Sequence, residues 1–145
     1  MASLEGLEFP ILRMDERCVR SARRPRDLRL MPEAFFAGGG FRGPACMIDS
    51  KCRKFEILDV RAGRRAFDLF GLLWKRPMYV AEYTLGPPVQ LSFQEARDFV
   101  IDLIVRRRWY LQGHETRPKF IQRSGSYGSM KEFIGAISLY GEGSR

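Results

Sequence analysis

The sequence has little of the chemistry from which most catalytic and metal sites are built. It contains a single histidine, His114, so any Ser–His–acid arrangement would have to use it. His114-Glu115 is not part of an H-E-x-x-H motif, and the three cysteines show no C-x-x-C spacing, so no zinc site is predicted. Asp98 and Asp102 share a predicted helical face, but neighbouring arginines favour a salt-bridged outer surface over acid–base work. We therefore expect a non-enzymatic protein without a metal or other cofactor.

Targeting and membrane signals are also missing. No apolar run reaches the roughly 20 residues that a helix needs to span a bilayer. The N-terminal stretch MASLEGLEFP lacks a basic segment followed by an apolar one, so no secretory signal is visible. An odd number of cysteines fits a reducing compartment better than a disulfide framework. These absences predict a cytoplasmic protein with reduced thiols and no membrane association.

Lysine is scarce, yet the chain is strongly basic. Twenty arginines and five lysines give a net charge of +8. The planar guanidinium suits bidentate contacts with carboxylate or phosphate. Residues 13–29 are rich in arginine, and we interpret them as a basic, mobile segment that either binds a partner or lies solvated at the surface. The charge predicts an acidic partner; a protein surface and nucleic acid both meet that description.

The stretch from Leu91 to Gly113 is the strongest structural signal. Ser92 and Glu95 form an S-x-x-E capping box, and the apolar residues that follow recur at helical spacing. Gly113 is a natural helix end. The pattern predicts a long helix over about residues 92–111. A second capping box at Ser129 predicts a short C-terminal helix over about residues 129–140.

Strand patterns dominate the first ~85 residues. Pro44–Asp49 and Lys54–Val60 are typical of a hairpin, and Met78–Leu85 has the β-branched and aromatic content of a strand. Residues 114–128 are polar and are predicted to form a loop. We therefore predict an α+β fold, with residues 1–145 as a single domain. In it, a small, mainly antiparallel sheet is covered by the long helix and the short C-terminal helix.

Basic and aromatic residues cluster at the end of the long predicted helix and just after it. They are Arg106, Arg107, Arg108, Trp109, Tyr110, Arg117 and Lys119. Tryptophan, tyrosine and arginine are enriched at interface hot spots, and they also stack on and neutralise nucleic acid. We predict a partner-binding surface here. The alternative is that Trp109 and Tyr110 close the core while the arginines remain in solvent.

Residues 78–141 resemble small immunity proteins, the inhibitors encoded beside bacterial polymorphic or contact-dependent toxins. The resemblance lies in a strand, an S-x-x-E-capped helix ending in Arg108-Trp109-Tyr110, a polar loop, and a short helix closing in Ile137 to Gly141. It implies a non-enzymatic cytosolic protein that binds and blocks one toxin domain. The charge departs from the family, since inhibitors of nucleases are often acidic. Nucleic-acid binding through the arginine-rich surfaces is the alternative function.

Overall fold

A computed structural model describes residues 3–66, 78–113 and 115–137. Across these ranges the chain is α+β, as predicted. The strands are β1 Ile11–Met14, β2 Val19–Ala22, β3 Leu30–Pro32, β4 Cys46–Ile48, β5 Arg53–Arg65, β6 Met78–Leu85 and β7 Val89–Gln90. The α-helices are α1 Pro25–Arg29, α2 Glu33–Ala37, α3 Phe93–Arg107, α4 Arg117–Ser124 and α5 Met130–Ile137. Short 3-10 helices cover Leu4–Gly6 and Trp109–Gly113.

The strands form one antiparallel sheet in the order β2-β1-β4-β5-β6-β3, with β7 pairing to β5. This confirms the predicted antiparallel sheet, the hairpin formed by β4 and β5, and the strand at β6. The two outer strands, β2 and β3, are joined only by residues 23–29, which include α1. Because α1 packs against both of them, the sheet must curl so that its edges approach each other.

Each face of the curled sheet carries its own apolar cluster. The helix-side cluster joins the sheet to α3, α4 and α5, and includes Leu12, Met14, Val19, Ile48, Val100, Ile104, Phe120, Phe133 and Ile134. The inner cluster lies on the other face, towards α1, and contains Leu4, Leu7, Ile11, Ala22, Leu28, Met47, Phe55 and Leu85. Successive strand residues point to opposite faces, so β1 supplies both clusters.

The start of α3 confirms the capping-box prediction, whereas the predicted end is wrong. Ser92 Oγ accepts a hydrogen bond from the backbone N–H of Glu95 at 3.0 Å, and the Glu95 carboxylate accepts one from the Ser92 N–H at 3.0 Å. The helix ends at Arg107 because Arg108 takes a left-handed conformation with φ of 55°. At α5, Ser129 Oγ accepts from the Glu132 N–H at 3.3 Å, as expected of a helix start. The predicted residues 138–140 lie outside the described ranges.

Two further expectations need correction. The predicted cover of one long helix and one short C-terminal helix is incomplete, because α4 contributes to the same cluster. The predicted loop over residues 114–128 contains α4, which places Phe120 in the core with none of its surface exposed. Pro118 occupies the first turn of α4, where a helix needs no backbone N–H.

The basic segment over residues 13–29 contributes directly to the sheet. It contains the end of β1, the whole of β2 and the helix α1. Arg13 is buried, with 5% of its surface exposed, and Arg20 faces it across the β1–β2 pair. Several other arginines of the segment, including Arg23 and Arg26, are exposed.

We expect Ser92→Ala to lower the free energy of unfolding by about 1 kcal/mol, because it removes the side-chain cap of α3. Gln94→Ala, an exposed change in the same turn, is the control and should be close to neutral. Backbone and side-chain hydrogen bonds from Ser92 lower the pKa of Glu95. Since the folded-state pKa is depressed, the part of the capping box that the Glu95 carboxylate supplies is present at neutral pH and is lost as pH falls through that pKa. Urea denaturation at neutral pH tests the serine change; a loss as small as that of Gln94→Ala would contradict a side-chain cap at Ser92.

Candidate functional site

A cleft of about 310 Å³ opens between the C-terminal half of α3 and strands β1, β4 and β5. Its apolar lining residues are Met14, Pro44, Ala45, Cys46, Phe99 and Leu103. Its charged lining residues are Asp15, Glu16, Lys54, Glu56, Arg106 and Arg107. The cleft therefore combines an apolar surface with charges of both signs, and two of the predicted site residues lie in it.

The cleft exists because the apolar stripe of α3 is wider than the surface that the sheet covers. Ala96, Val100 and Ile104 form the centre of the stripe and are at most 1% exposed. Phe99 and Leu103 lie at its edge, remain half-buried and face the cleft. An apolar edge with this exposure can accept a side chain from another molecule.

The basic residues around the cleft are held by weak contacts. The Lys54 ammonium lies 4.2 Å from the centroid of the Phe99 ring, a cation–π contact. Arg107 Nη2 lies 3.9 Å from Glu16 Oε1, and Arg106 Nε lies 3.0 Å from Asp102 Oδ2. Each of these ion pairs is largely exposed, so each contributes little to stability and can exchange its partner at small cost.

Asp15 and Cys46 have structural rather than reactive environments. The Asp15 carboxylate accepts backbone hydrogen bonds from Arg17, Cys18 and Arg42 at 2.9–3.2 Å, which fixes the turn between β1 and β2. Burial raises the pKa of the Cys46 thiol to about 11, against an opposing effect of nearby Lys54. The thiol is therefore protonated at neutral pH and is a poor nucleophile.

We expect Cys18 to be alkylated before Cys46 and Cys52 in the native protein near neutral pH. Burial raises the pKa values of Cys46 and Cys52, whereas Cys18 is half-buried, and none of the three forms a disulfide. Timed iodoacetamide labelling with peptide mass spectrometry measures the three rates. Labelling in denaturant, where all three should react alike, is the control. Equal native rates at Cys18 and Cys46 would contradict the buried, protonated thiol.

The remaining predicted site residues divide between the surface and the core. Arg108, Arg117 and Lys119 are exposed and form no ion pair with any residue in the described ranges. Trp109 is half-buried and packs against the helix-side cluster. Tyr110 is 9% exposed and stacks on Phe120 with ring centroids 5.9 Å apart. For Tyr110 the structure follows the alternative reading of the sequence, in which the ring closes the core.

Sequence reasoning missed two exposed apolar residues beside the basic ones. Leu111, directly after Tyr110, is 53% exposed, and Ile121, on α4, is 43% exposed. It also missed Lys54, Phe99 and Glu16 as cleft residues. These residues lie close together because segments distant in sequence pack against each other, and no local sequence pattern indicates this.

The described residues include the aspartates of α3 and most of the side chains that could ligate a metal. Asp98 and Asp102 are exposed and lie 3.9 Å and 3.0 Å from Arg97 and Arg106, as expected of a salt-bridged surface. No group of three histidine, cysteine, aspartate or glutamate side chains there is placed to hold a metal ion. No helix among the described residues combines the length and apolarity needed to cross a membrane.

Comparisons with known proteins return no matching family model, curated protein or solved structure. The resemblance to immunity proteins therefore stays a prediction that rests on residues 78–141. Function has to be argued from the cleft and from the basic surface beside it.

Proposed function

We propose that the protein is a non-enzymatic protein-binding module of the cytoplasm, and that it acts as an immunity-type inhibitor that binds and blocks a cognate toxin. The observation that carries the proposal is the cleft, whose apolar lining is flanked by the basic end of α3. The surface formed by the cleft, Arg106, Arg107 and Arg108 is called the α3-end surface below.

The cleft suits a side chain better than a whole metabolite. Its volume lies at the lower end of the range for small-molecule pockets. Interface hot spots commonly consist of an aromatic or aliphatic anchor from one protein in such a recess of the other. Phe99 and Leu103 would contact the anchor, and the Lys54 ammonium on the Phe99 ring would close one side.

The positive charge beside the cleft favours a partner with acidic residues around the anchor side chain. Arg106 and Arg107 are engaged only in exposed pairs, and Arg108 forms no ion pair with a described residue. Carboxylates of a partner can therefore bind these guanidinium groups without first breaking a buried contact. Exposed rim charges of this kind mainly raise the association rate and set the salt dependence of binding.

The test uses the product of the adjacent gene, because the resemblance implies that toxin and inhibitor are encoded together. We expect Arg106→Glu/Arg107→Glu to weaken the complex about tenfold or more and to restore toxicity on coexpression. The matched control is Arg64→Glu/Arg65→Glu, an equal charge change at two exposed, adjacent arginines of β5. Lys54 of the same strand lines the cleft, and the control pair lies roughly 30 Å of extended strand beyond it. Isothermal titration calorimetry and growth assays provide the two readouts.

A toxic neighbour that the wild-type chain neither binds nor neutralises would contradict the proposal. So would equal losses for the α3-end and control variants, because binding would then depend only on net charge.

The alternative function, nucleic-acid binding, is tested with single- and double-stranded oligonucleotides at two salt concentrations. Tight binding near physiological salt that is lost in Arg106→Glu/Arg107→Glu would favour nucleic acid as the partner. Binding confined to low salt is expected of any protein with a charge of +8.

A further inference from the structure

Arg13 is a buried cation without an anionic partner among the described residues. It lies on β1, on the same face as Ile11 and the inner cluster, and only 5% of its surface is exposed. Its Nη1 donates to the Tyr83 hydroxyl at 3.2 Å and to Met31 Sδ at 3.8 Å. No carboxylate among the described residues pairs with it. An arginine stays protonated, so desolvating it without a counter-charge is costly.

A second arginine increases the positive charge at this point. Arg20 lies directly opposite Arg13 in the β1–β2 pair, so the two side chains leave the same face of the sheet. Both charges act on the Tyr83 phenol, whose pKa they lower against the larger effect of burial. Two guanidinium groups on one face of the sheet raise the local positive potential, which favours an anion at this point.

The free donors of Arg13 remain accessible. Its Nε and Nη2 donate to no residue in the described ranges. Among the described residues, the buried polar atoms without a partner are Arg97 Nε and Ser124 Oγ, and neither donor of Arg13 is one of them. Tyr83 holds the guanidinium from one side, because its own hydroxyl donates to the Leu28 carbonyl at 2.7 Å. A fixed guanidinium thus keeps two donors that no residue in the described ranges uses.

Aromatic rings extend from this arginine across the surface. The Arg13 guanidinium carbon lies 5.1 Å from the centroid of the Phe41 ring. Phe41 contacts Phe35, Phe35 contacts Phe36, and Phe36 contacts Tyr79, with centroid separations between 5.0 and 6.3 Å. All four rings are half-buried, so each keeps part of its surface in solvent. Such a row of rings offers stacking surface to a flat ligand.

We propose that this face is a binding site for a small phosphorylated ligand with an aromatic base, that is, a mononucleotide. Nε and Nη2 of Arg13 form the fork that binds two phosphate oxygens, and the nearby charge of Arg20 adds to the positive potential there. The base stacks on the exposed part of the Phe36 ring and meets the edges of Phe35 and Tyr79, whose rings lie at 81° and 85° to it. The site lies on the opposite face of the sheet from the α3-end surface, so it is independent of the proposed function.

Calorimetric titration of the full chain with AMP, ATP, GMP and GTP, at about 0.15 M salt, tests the proposal. At least one nucleotide should bind, and adenosine or guanosine alone and inorganic phosphate alone should each bind about tenfold more weakly or worse. Arg13→Lys keeps the charge but loses the fork, and should weaken nucleotide binding about tenfold. Arg64→Lys, at an exposed position of β5, is the matched control and should bind as the wild type does.

Phe36→Leu tests the aromatic half of the site separately from the phosphate-binding half, and it leaves the buried arginine unchanged. It should weaken nucleotide binding while leaving the weak phosphate affinity unchanged. No binding of any nucleotide at millimolar concentration would overturn the proposal. Inorganic phosphate binding as tightly as the nucleotides would overturn it too, because the rings would then take no part. Tighter binding of a single-stranded oligonucleotide than of any mononucleotide would replace the small ligand with a nucleic acid.

Discussion

Phe133→Ala is expected to lower the free energy of unfolding by about 3–5 kcal/mol, because it leaves a large cavity in the helix-side cluster. The Phe133 ring has none of its surface exposed and lies 6.2 Å, centroid to centroid, from the Tyr127 ring. It belongs to α5, which packs against β2, so the ring helps to join the helical layer to the outer strand of the sheet. Few neighbours can move into the space, since the adjoining Ile134 is also fully buried.

Guanidinium denaturation monitored by circular dichroism measures the Phe133 effect. The control is Leu111→Ala, which removes an apolar side chain that is 53% exposed and should change stability by less than about 0.5 kcal/mol. A loss below about 1 kcal/mol for Phe133→Ala would mean that α5 does not bury this ring against the sheet.

Asp49→Ala is expected to cost about 3–5 kcal/mol, because it removes a buried carboxylate on which several donors converge. The Asp49 side chain has no exposed surface. It accepts backbone hydrogen bonds from Glu8, Lys51 and Arg53 at 2.9–3.2 Å. It also accepts two from the Arg53 guanidinium, at 2.6 and 2.9 Å. One carboxylate therefore ties the turn between β4 and β5 to the N-terminal segment.

Asp59→Ala is the matched control for Asp49, because Asp59 also forms an ion pair on β5, with Arg61 at 3.0 Å. Its side chain is 51% exposed, so its loss should cost no more than about 1 kcal/mol. Denaturant melts of both variants provide the comparison. Similar losses at the two positions would show that burial and the backbone donors add nothing to the Asp49 ion pair.

Local signals in the sequence predicted element starts better than element ends. The α3 start depends on Ser92 and Glu95, three residues apart, so the capping box was visible without the fold. The α3 end depends on Arg108, a residue type that rarely takes a φ of 55°. Just after this turn, Tyr110 packs on Phe120. No local sequence pattern indicates that these two residues lie close together.

Sequence reasoning also treated two breaker residues too strictly. The predicted strand ended at Val60, before Gly63 and the three arginines around it, yet β5 continues to Arg65. Pairing with β6 accounts for this, because a backbone ladder overrides the weak strand propensity of one glycine. Pro118 suggested a loop, although its place in the first turn of α4 is compatible with a helix.

The candidate site was predictable only as a set of residue types. The arginines at the end of α3 were identified from sequence, and Arg106 and Arg107 do line the cleft. The other wall consists of residues from β1, β4 and β5, which strand pairing brings together. Arg13 is a second example, since its sequence neighbours suggested a solvated arm, whereas β1 carries it into the interior.

The contribution of β1 to both apolar clusters makes the chain intolerant of a change in its register. All four residues from Ile11 to Met14 are buried, and alternate ones serve opposite faces of the sheet. A one-residue insertion or deletion in this strand would exchange the two faces. Arg13 would then point into the helix-side cluster, and an apolar residue would take its place near Tyr83. Length variation within this strand should therefore not be tolerated.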